Sequence, residues 1–113
     1  MDIQIQIGNV TLNAILYDTP SGREIYNTLP LSDKIITWGN EAYFSIPVQQ
    51  QLDETACETV SEGDIGFWPS GQCFCIFFGQ QPISAVNVCG KITSDLSLLN
   101  SIKNDEKITI SAT

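Results

Sequence analysis

The run CFCIFF, residues 73–78, limits what this chain can fold into more than any other segment. Six consecutive apolar residues closed by Gly79 match the length of a strand and fall far short of a membrane span. Side chains alternate between the two faces of a strand, so this one presents apolar groups on both. We therefore predict that it lies between a barrel interior and a covering helix. One face would carry Phe74, Ile76 and Phe78, the other Cys73, Cys75 and Phe77.

Strands are indicated on both sides of this run. Ile3, Ile5 and Ile7 alternate with polar residues, and Gly8-Asn9 supplies a tight turn, so residues 2–17 form a predicted β-hairpin. The segments KIITW (34–38) and AYFSIPV (42–48) predict a second hairpin with its turn at 39–41. The remaining strand predictions are a short segment within 56–60, AVNVCGKI (85–92) and EKITISA (106–112).

Two short helices are predicted between the strands. In residues 18–30, Asp18 or Thr19 can cap the helix, Pro20 suits its first turn, and Pro30 ends it. The apolar residues of this helix recur at spacings of three and four, which is typical of a helix that packs on a sheet. The second helix is the amphipathic segment DLSLLNSIK, residues 95–103.

These elements fit one domain that covers residues 1–113. The length allows a single core, and 42% hydrophobic against 16% charged residues is a globular composition. About eight strands joined mostly by turns favour a mainly β fold, a closed antiparallel barrel with the two helices at its open ends.

The charge balance narrows the range of partners. A net charge of −8 repels phosphate backbones and anionic membrane surfaces, so we expect neither nucleic acid nor a membrane as a partner. The first residues lack the basic and apolar blocks of a signal peptide. Four cysteines are too few for a disulfide scaffold, and a reducing cytoplasm is the expected location.

Several chemistries are disfavoured by residue type and spacing. The cysteines stand in apolar strands, where they are typical of a core and not of a zinc site or a nucleophile, and the chain has no histidine to activate them. No nucleotide-binding glycine motif occurs, and we predict no metal and no cofactor. Carboxylates crowd residues 41–64, where a solubilising surface is the favoured interpretation, with Asp64 bonded to turn amides near Gly63 and Gly66.

Three motifs resemble the cyclophilin superfamily. GDIGFWPSGQCFCIFFG (63–79) is similar to a glycine-containing loop that leads into a Phe-rich core strand of cyclophilins. AVNVCGKITSDLSLLNSIKNDEKITISA (85–112) resembles the cyclophilin C-terminal strand, short helix and final strand. Together with TWGNEAYFSIPV (37–48), these motifs look like a small prokaryotic cyclophilin-like family of unknown function. The resemblance implies a cyclophilin-like barrel and raises prolyl isomerisation as a hypothesis.

The chain departs from the cyclophilin pattern where isomerase activity would need it. The resemblance implies an arginine on a central strand, since a cation that binds the twisted amide better than the planar one lowers the barrier to rotation. The corresponding residues 38–48 contain no arginine. Arg23 is the only arginine, and it lies in the first predicted helix, where we expect it to be solvated. The tryptophan and histidine that precede the Gly-Lys strand are also missing.

Aromatic residues remain the best candidates for a site. Trp38, Tyr43, Phe44, Phe67 and Trp68 cluster around two turns, and aromatic groups with polar tips are typical of concave ligand sites. The alternative is structural packing, with Trp68 closing a barrel end and Trp38 beneath the first helix. If the cyclophilin resemblance holds, the candidate ligand-binding residues on its peptide face are Glu41, Tyr43, Phe44, Trp68 and Gln72.

Three functions stay open on this basis. The first is a non-catalytic binding module for a small molecule or a peptide. The second is a weak prolyl isomerase that acts through desolvation and aromatic packing. The third is an interaction subunit that works as a homo-oligomer.

Overall fold

The computed structural model describes residues 1–113 as ten strands, one α-helix and one 3₁₀ helix. The strands are β1 (Asp2–Ile7), β2 (Val10–Leu16), β3 (Leu31–Lys34), β4 (Ile36–Thr37), β5 (Glu41–Ser45), β6 (Ala56–Cys57), β7 (Asp64–Trp68), β8 (Cys73–Phe77), β9 (Val86–Ile92) and β10 (Lys107–Ala112). The α-helix α1 is Pro20–Thr28, and the 3₁₀ helix is Leu96–Ser101.

The strands form one nearly closed antiparallel barrel. Their order is β3, β10, β1, β2, β9, β7, β8, β5, β4, and the two-residue strand β6 pairs with β9. The first and last strands of this order are separated in the chain by Ile35 alone. Residues 31–37, the closing segment, therefore pair with β10 at one end and with β5 at the other. The predicted mainly β fold, an antiparallel barrel with two helices, is confirmed.

The barrel interior is filled by every second residue of its strands, because strand side chains alternate between faces. Ile3, Ile5 and Ile7 all point inward from β1, and β1 pairs with β2 and β10 in register. The inner residues of those two neighbours are Leu12, Ala14, Leu16, Ile108 and Ile110. The N-terminal hairpin and the closing strand that the alternation predicts are thus both present.

Strand β8 is buried on both faces, as its composition predicts. Phe74 and Ile76 lie in the barrel interior, whereas Cys73, Cys75 and Phe77 form a second buried cluster on the outside. The prediction that a helix covers the outer face was wrong. Both helices contact β2, and α1 also contacts β9. The outer cluster is instead covered by neighbouring side chains and by a loop, residues 78–85, called the covering loop below.

Helix α1 begins and ends as its sequence indicates. Of the two candidate caps, Thr19 is the one used, and its Oγ1 accepts a hydrogen bond of 3.1 Å from the Gly22 amide. Pro20 occupies the first turn, and Ile25 is fully buried against the barrel. The helix ends at Thr28, two residues before Pro30.

The second helix is shorter than predicted and is a 3₁₀ helix. The amphipathic helix expected over 95–103 is replaced by Leu96–Ser101, with the Asp95 carboxylate capping the Ser97 amide. Leu96, Leu99 and Ile102 all pack on the core, and their spacing of three residues matches one 3₁₀ turn each. None of the helices has the length and apolar content needed to cross a bilayer.

Candidate functional site

A cavity of about 320 Å³ lies outside the barrel, between the outer face of β5, β7 and β8 and the covering loop. We call it the outer cavity. Its volume falls at the lower end of the range typical of small-molecule sites. Ten residues line it: Trp38, Glu41, Tyr43, Trp68, Cys75, Phe77, Pro82, Ile83, Ser84 and Val86.

Strand register sets the floor of the outer cavity. Tyr43 pairs with Cys75, and Cys75 pairs on its other side with Gly66. Side-chain size therefore decreases across these three strands, from tyrosine to cysteine to glycine. A Cβ at Gly66 would lie 2.9 Å from Cγ2 of Val86 and 3.1 Å from Cε2 of Phe77. A glycine at this position therefore allows those two apolar side chains to close the floor.

The covering loop is held over the cavity by hydrogen bonds at three points. Its start is fixed by the Phe78 amide, which donates to the Asn40 carbonyl at 2.9 Å. In its middle, the Gln81 side chain accepts from the Val60 amide at 2.8 Å and donates to the Val60 carbonyl at 3.0 Å. Near its end, Trp68 Nε1 donates to Ser84 Oγ at 2.7 Å. These bonds attach the loop at one side of the cavity, where it forms a wall.

Trp68 has two roles in this arrangement. Its ring lines the outer cavity, and its indole N–H anchors the covering loop through Ser84. An indole is suited to both, because it offers a large apolar face and a single donor at its edge. The alternative that Trp68 only closes a barrel end is not what the structure shows.

Glu41 is the one acidic side chain of the outer cavity. Although it is a carboxylic acid, only 7% of its surface is exposed. Burial raises the pKa of Glu41 above its ordinary value, and the adjacent Cys75 thiol partly opposes the rise by hydrogen bonding to the ionised form. The chain's single ion pair joins Arg23 to Asp18, so no lysine or arginine balances the Glu41 charge.

Three of the four cysteines are not equipped as nucleophiles. Burial raises the pKa of Cys73, of Cys75 and, to about 12, of Cys89, so these three thiols stay protonated at neutral pH. Cys57 is exposed on β6. No group of three or more Cys, Asp or Glu residues is arranged to hold a metal ion.

The five predicted site residues separate into two groups. Glu41, Tyr43 and Trp68 come together in the outer cavity. Phe44 points the other way from β5 into the barrel, where its ring centroid lies 5.7 Å from that of Phe74. Gln72 lies in the turn before β8 with a positive φ of 53°, and it does not line the cavity. Strand alternation explains Phe44, because neighbours of Tyr43 on β5 must face the interior.

Sequence reasoning missed several cavity residues. Trp38 is not among them, because the predicted aromatic cluster includes it; it lines the cavity with 46% of its surface exposed and is not buried beneath the first helix. Pro82, Ile83 and Ser84 were interpreted only as part of a turn. The double-sided apolar pattern of 73–78 did indicate that something covers the outer face. That pattern does not indicate which segment covers the face, because the covering loop is held in place by hydrogen bonds to residues far away in the chain.

Two other sequence expectations concern charged residues. Arg23 is exposed and binds Asp18 at 2.8 Å, as expected of solvated surface, and it does not reach the outer cavity. Asp64 does accept a turn amide near Gly63, that of Ser61 at 2.8 Å. The assignment of the whole acidic region to the surface was wrong for Glu41, because β5 turns that residue into the cavity.

The comparisons with known proteins agree with this architecture. A family model described as Cyclophilin-like matches residues 1–111. The solution structure of the hypothetical protein AF2241 from Archaeoglobus fulgidus is similar with a TM-score of 0.84 and 28% identity, covering 100% of this chain and 95% of that one. McbB in complex with tryptophan has a TM-score of 0.78 at 17% identity, covering 98% of this chain but 44% of its own, and shows the shared fold alone. No curated protein matches significantly. With nearly its whole length matched, the chain belongs to the Cyclophilin-like family.

Proposed function

We propose that the protein binds a small molecule in the outer cavity and does not catalyse prolyl isomerisation. The observation that carries this proposal is the cavity itself, which combines apolar walls with one buried acid and a hydrogen-bonded covering loop. Sites for small molecules are usually concave, mostly apolar and supplied with a few fixed polar groups. A family relation alone does not define a ligand, because one fold can carry many functions.

The choice of binding over isomerisation rests on charge. A twisted X-Pro amide is stabilised when a donor, such as a guanidinium, binds it better than the planar amide. The only charged group at the outer cavity is Glu41, an acceptor. Arg23, the single arginine, lies on α1 and is held there by Asp18.

Fluorescence offers a direct test, because both tryptophans of the chain line the outer cavity. A library of neutral and charged small molecules is added at constant protein concentration, and it includes tryptophan because McbB was solved with that amino acid. We expect at least one saturable change in Trp38 or Trp68 emission, with competition among ligands of one class. The mass in solution is measured in parallel, and a ligand-free dimer that blocks all binding contradicts the proposal.

Truncation of the wall locates the binding. Trp68→Ala removes a wall and the loop anchor, so affinity should fall about tenfold or more, in line with buried aromatic anchors. Tyr26→Ala removes a comparable ring from α1 outside the cavity and serves as the matched control, with affinity unchanged. Equal losses in both variants would contradict a site at the outer cavity.

A protease-coupled assay on a proline peptide tests the second part of the proposal. We expect no acceleration over the uncatalysed rate. Turnover that Tyr43→Ala abolishes would show that the outer cavity is an isomerase site after all.

A further inference from the structure

We infer that the ligand of the outer cavity is a small organic cation, with a substituted ammonium group held between the aromatic walls and Glu41. This inference rests on the proposed function, since it names the chemical class that the same cavity would take.

The walls have the composition that a cation requires. Trp38, Tyr43 and Trp68 all line one cavity, and Phe77 contributes to its floor. The face of an aromatic ring carries a negative potential, and Trp is the strongest of these residues in attracting an ammonium group. Several rings around one volume are the usual means of binding alkylated ammonium ions, whose methyl groups also bury apolar surface against the rings.

The Glu41 carboxylate favours a positively charged ligand. Only 7% of the surface of this residue is exposed, it lines the cavity, and no basic residue pairs with it. A buried carboxylate without a cation is costly, and a buried charge is normally paired. An ammonium group in the outer cavity would provide the missing partner. An anion there would meet an acid and the negative faces of the rings.

The rest of the cavity contains nothing that competes for this role. The Cys75 thiol is neutral because its pKa is raised by burial and by the nearby Glu41 carboxylate. The remaining lining side chains on the covering loop are Pro82, Ile83 and Ser84, and Ser84 is already engaged with Trp68. The volume of about 320 Å³ suits a small free molecule.

Two ligands of the same shape, one cationic and one neutral, separate the effect of ligand charge from that of ligand shape. Choline and 3,3-dimethylbutan-1-ol share one shape, but the first carries a quaternary nitrogen where the second has carbon. Binding to the full chain is measured by calorimetry and by tryptophan fluorescence. We expect choline to bind at least about tenfold more tightly than the alcohol, the combined effect of ring faces and a desolvated carboxylate.

Substitution of the acid completes the test. Glu41→Gln keeps the shape of the side chain and removes its charge, so choline affinity should fall about tenfold or more while alcohol affinity stays the same. Glu58→Gln makes the same charge change at an exposed position outside the cavity and should alter neither. A loss in both variants would mean that choline responds only to the overall negative charge, which overturns the inference.

The outcomes separate this inference from the proposed function. If neutral library members bind in a Trp68-dependent way but choline binds no better than the alcohol, the cation inference is wrong and the binding function stands. If neither neutral nor charged probes bind, both fall. Preferential choline binding that depends on Glu41 supports both.

Discussion

Glu41 is an acidic residue that is buried without a basic partner. Strand β5 turns it outward beneath the covering loop, where little water reaches it and no cation balances it. Its raised pKa follows from this desolvation. A carboxyl group that holds its proton more tightly in the folded protein than in the unfolded chain opposes folding once the pH is high enough to ionise it.

Glu41→Gln should therefore stabilise the ligand-free protein near neutral pH. For the wild type, the favourable contribution of the protonated acid is fully present below the ordinary carboxyl pKa of about 4.5 and is lost as the pH rises through the higher folded-state pKa. Glutamine stays neutral throughout, so the variant should be more stable at pH 7 and lose that advantage toward pH 4.

Urea unfolding of both proteins at several values between pH 4 and 8 measures this difference. Glu58→Gln at an exposed position should show no comparable pH-dependent gain. A Glu41→Gln variant that is less stable than the wild type at pH 7 would contradict the explanation of its pKa.

At the scale of elements, the sequence predicts structure well where the evidence for it is local. The alternation of Ile3, Ile5 and Ile7, the Gly8-Asn9 turn and the Thr19 cap each involve neighbours in the chain, and all are present in the structure. Strand β3 gives no such pattern, because three of its four residues are exposed. Its pairing with β10 depends on residues more than seventy positions away.

The site was predictable only in part for the same reason. The candidates Glu41, Tyr43 and Trp68 lie on strands whose faces can be assigned by alternation. The same alternation assigns Phe44 to the inner face, away from the outer cavity. The covering loop depends on bonds such as that between Gln81 and Val60, which are twenty-one residues apart. Turn composition in residues 79–84 indicated a bend but not the strand face it covers.

Helix α1 allows a test in which tertiary contact should override intrinsic helix propensity. Gly22→Ala improves helix propensity by up to about 1 kcal/mol. However, a Cβ at this position would collide with the Tyr17 carbonyl oxygen, which is backbone and cannot rotate away. We expect Gly22→Ala to be destabilising, by roughly 1–3 kcal/mol as for other overpacked sites.

The matched control is Asn27→Ala at an exposed position of α1, which should be neutral or slightly stabilising. Thermal unfolding followed by circular dichroism compares the two variants with the wild type. Stabilisation by Gly22→Ala would mean that the chain between Tyr17 and the helix relaxes freely.

At the scale of the whole molecule, the dominant feature is an excess of negative charge around a nearly closed barrel. Thirteen acidic residues face five basic ones, and a single exposed ion pair is formed. Such self-repulsion disfavours the compact state, whereas an exposed ion pair contributes little. Added salt should therefore weaken the repulsion between like charges more than it weakens the attraction within the ion pair, and so stabilise the folded protein.

Raising sodium chloride from about 0.02 M to 0.5 M at pH 7 should increase the Tm, because the screening length shortens from roughly 20 Å to under 5 Å. Differential scanning calorimetry measures the change. The same titration at pH 4.1, the isoelectric point of the sequence, should give a smaller effect. An unchanged or lower Tm at pH 7 would mean that local charge pairing outweighs the net charge.

The closing segment connects the closure of the barrel to the wall of the outer cavity. Residues 31–37 join the two ends of the sheet, and the next residue along the chain is Trp38. Separation of β3 from β10, or of β4 from β5, would therefore carry an aromatic wall away from any bound molecule. Conversely, a molecule bound against the Trp38 ring would oppose separation of these strands. Ligand binding in the outer cavity should therefore stabilise the closure of the barrel.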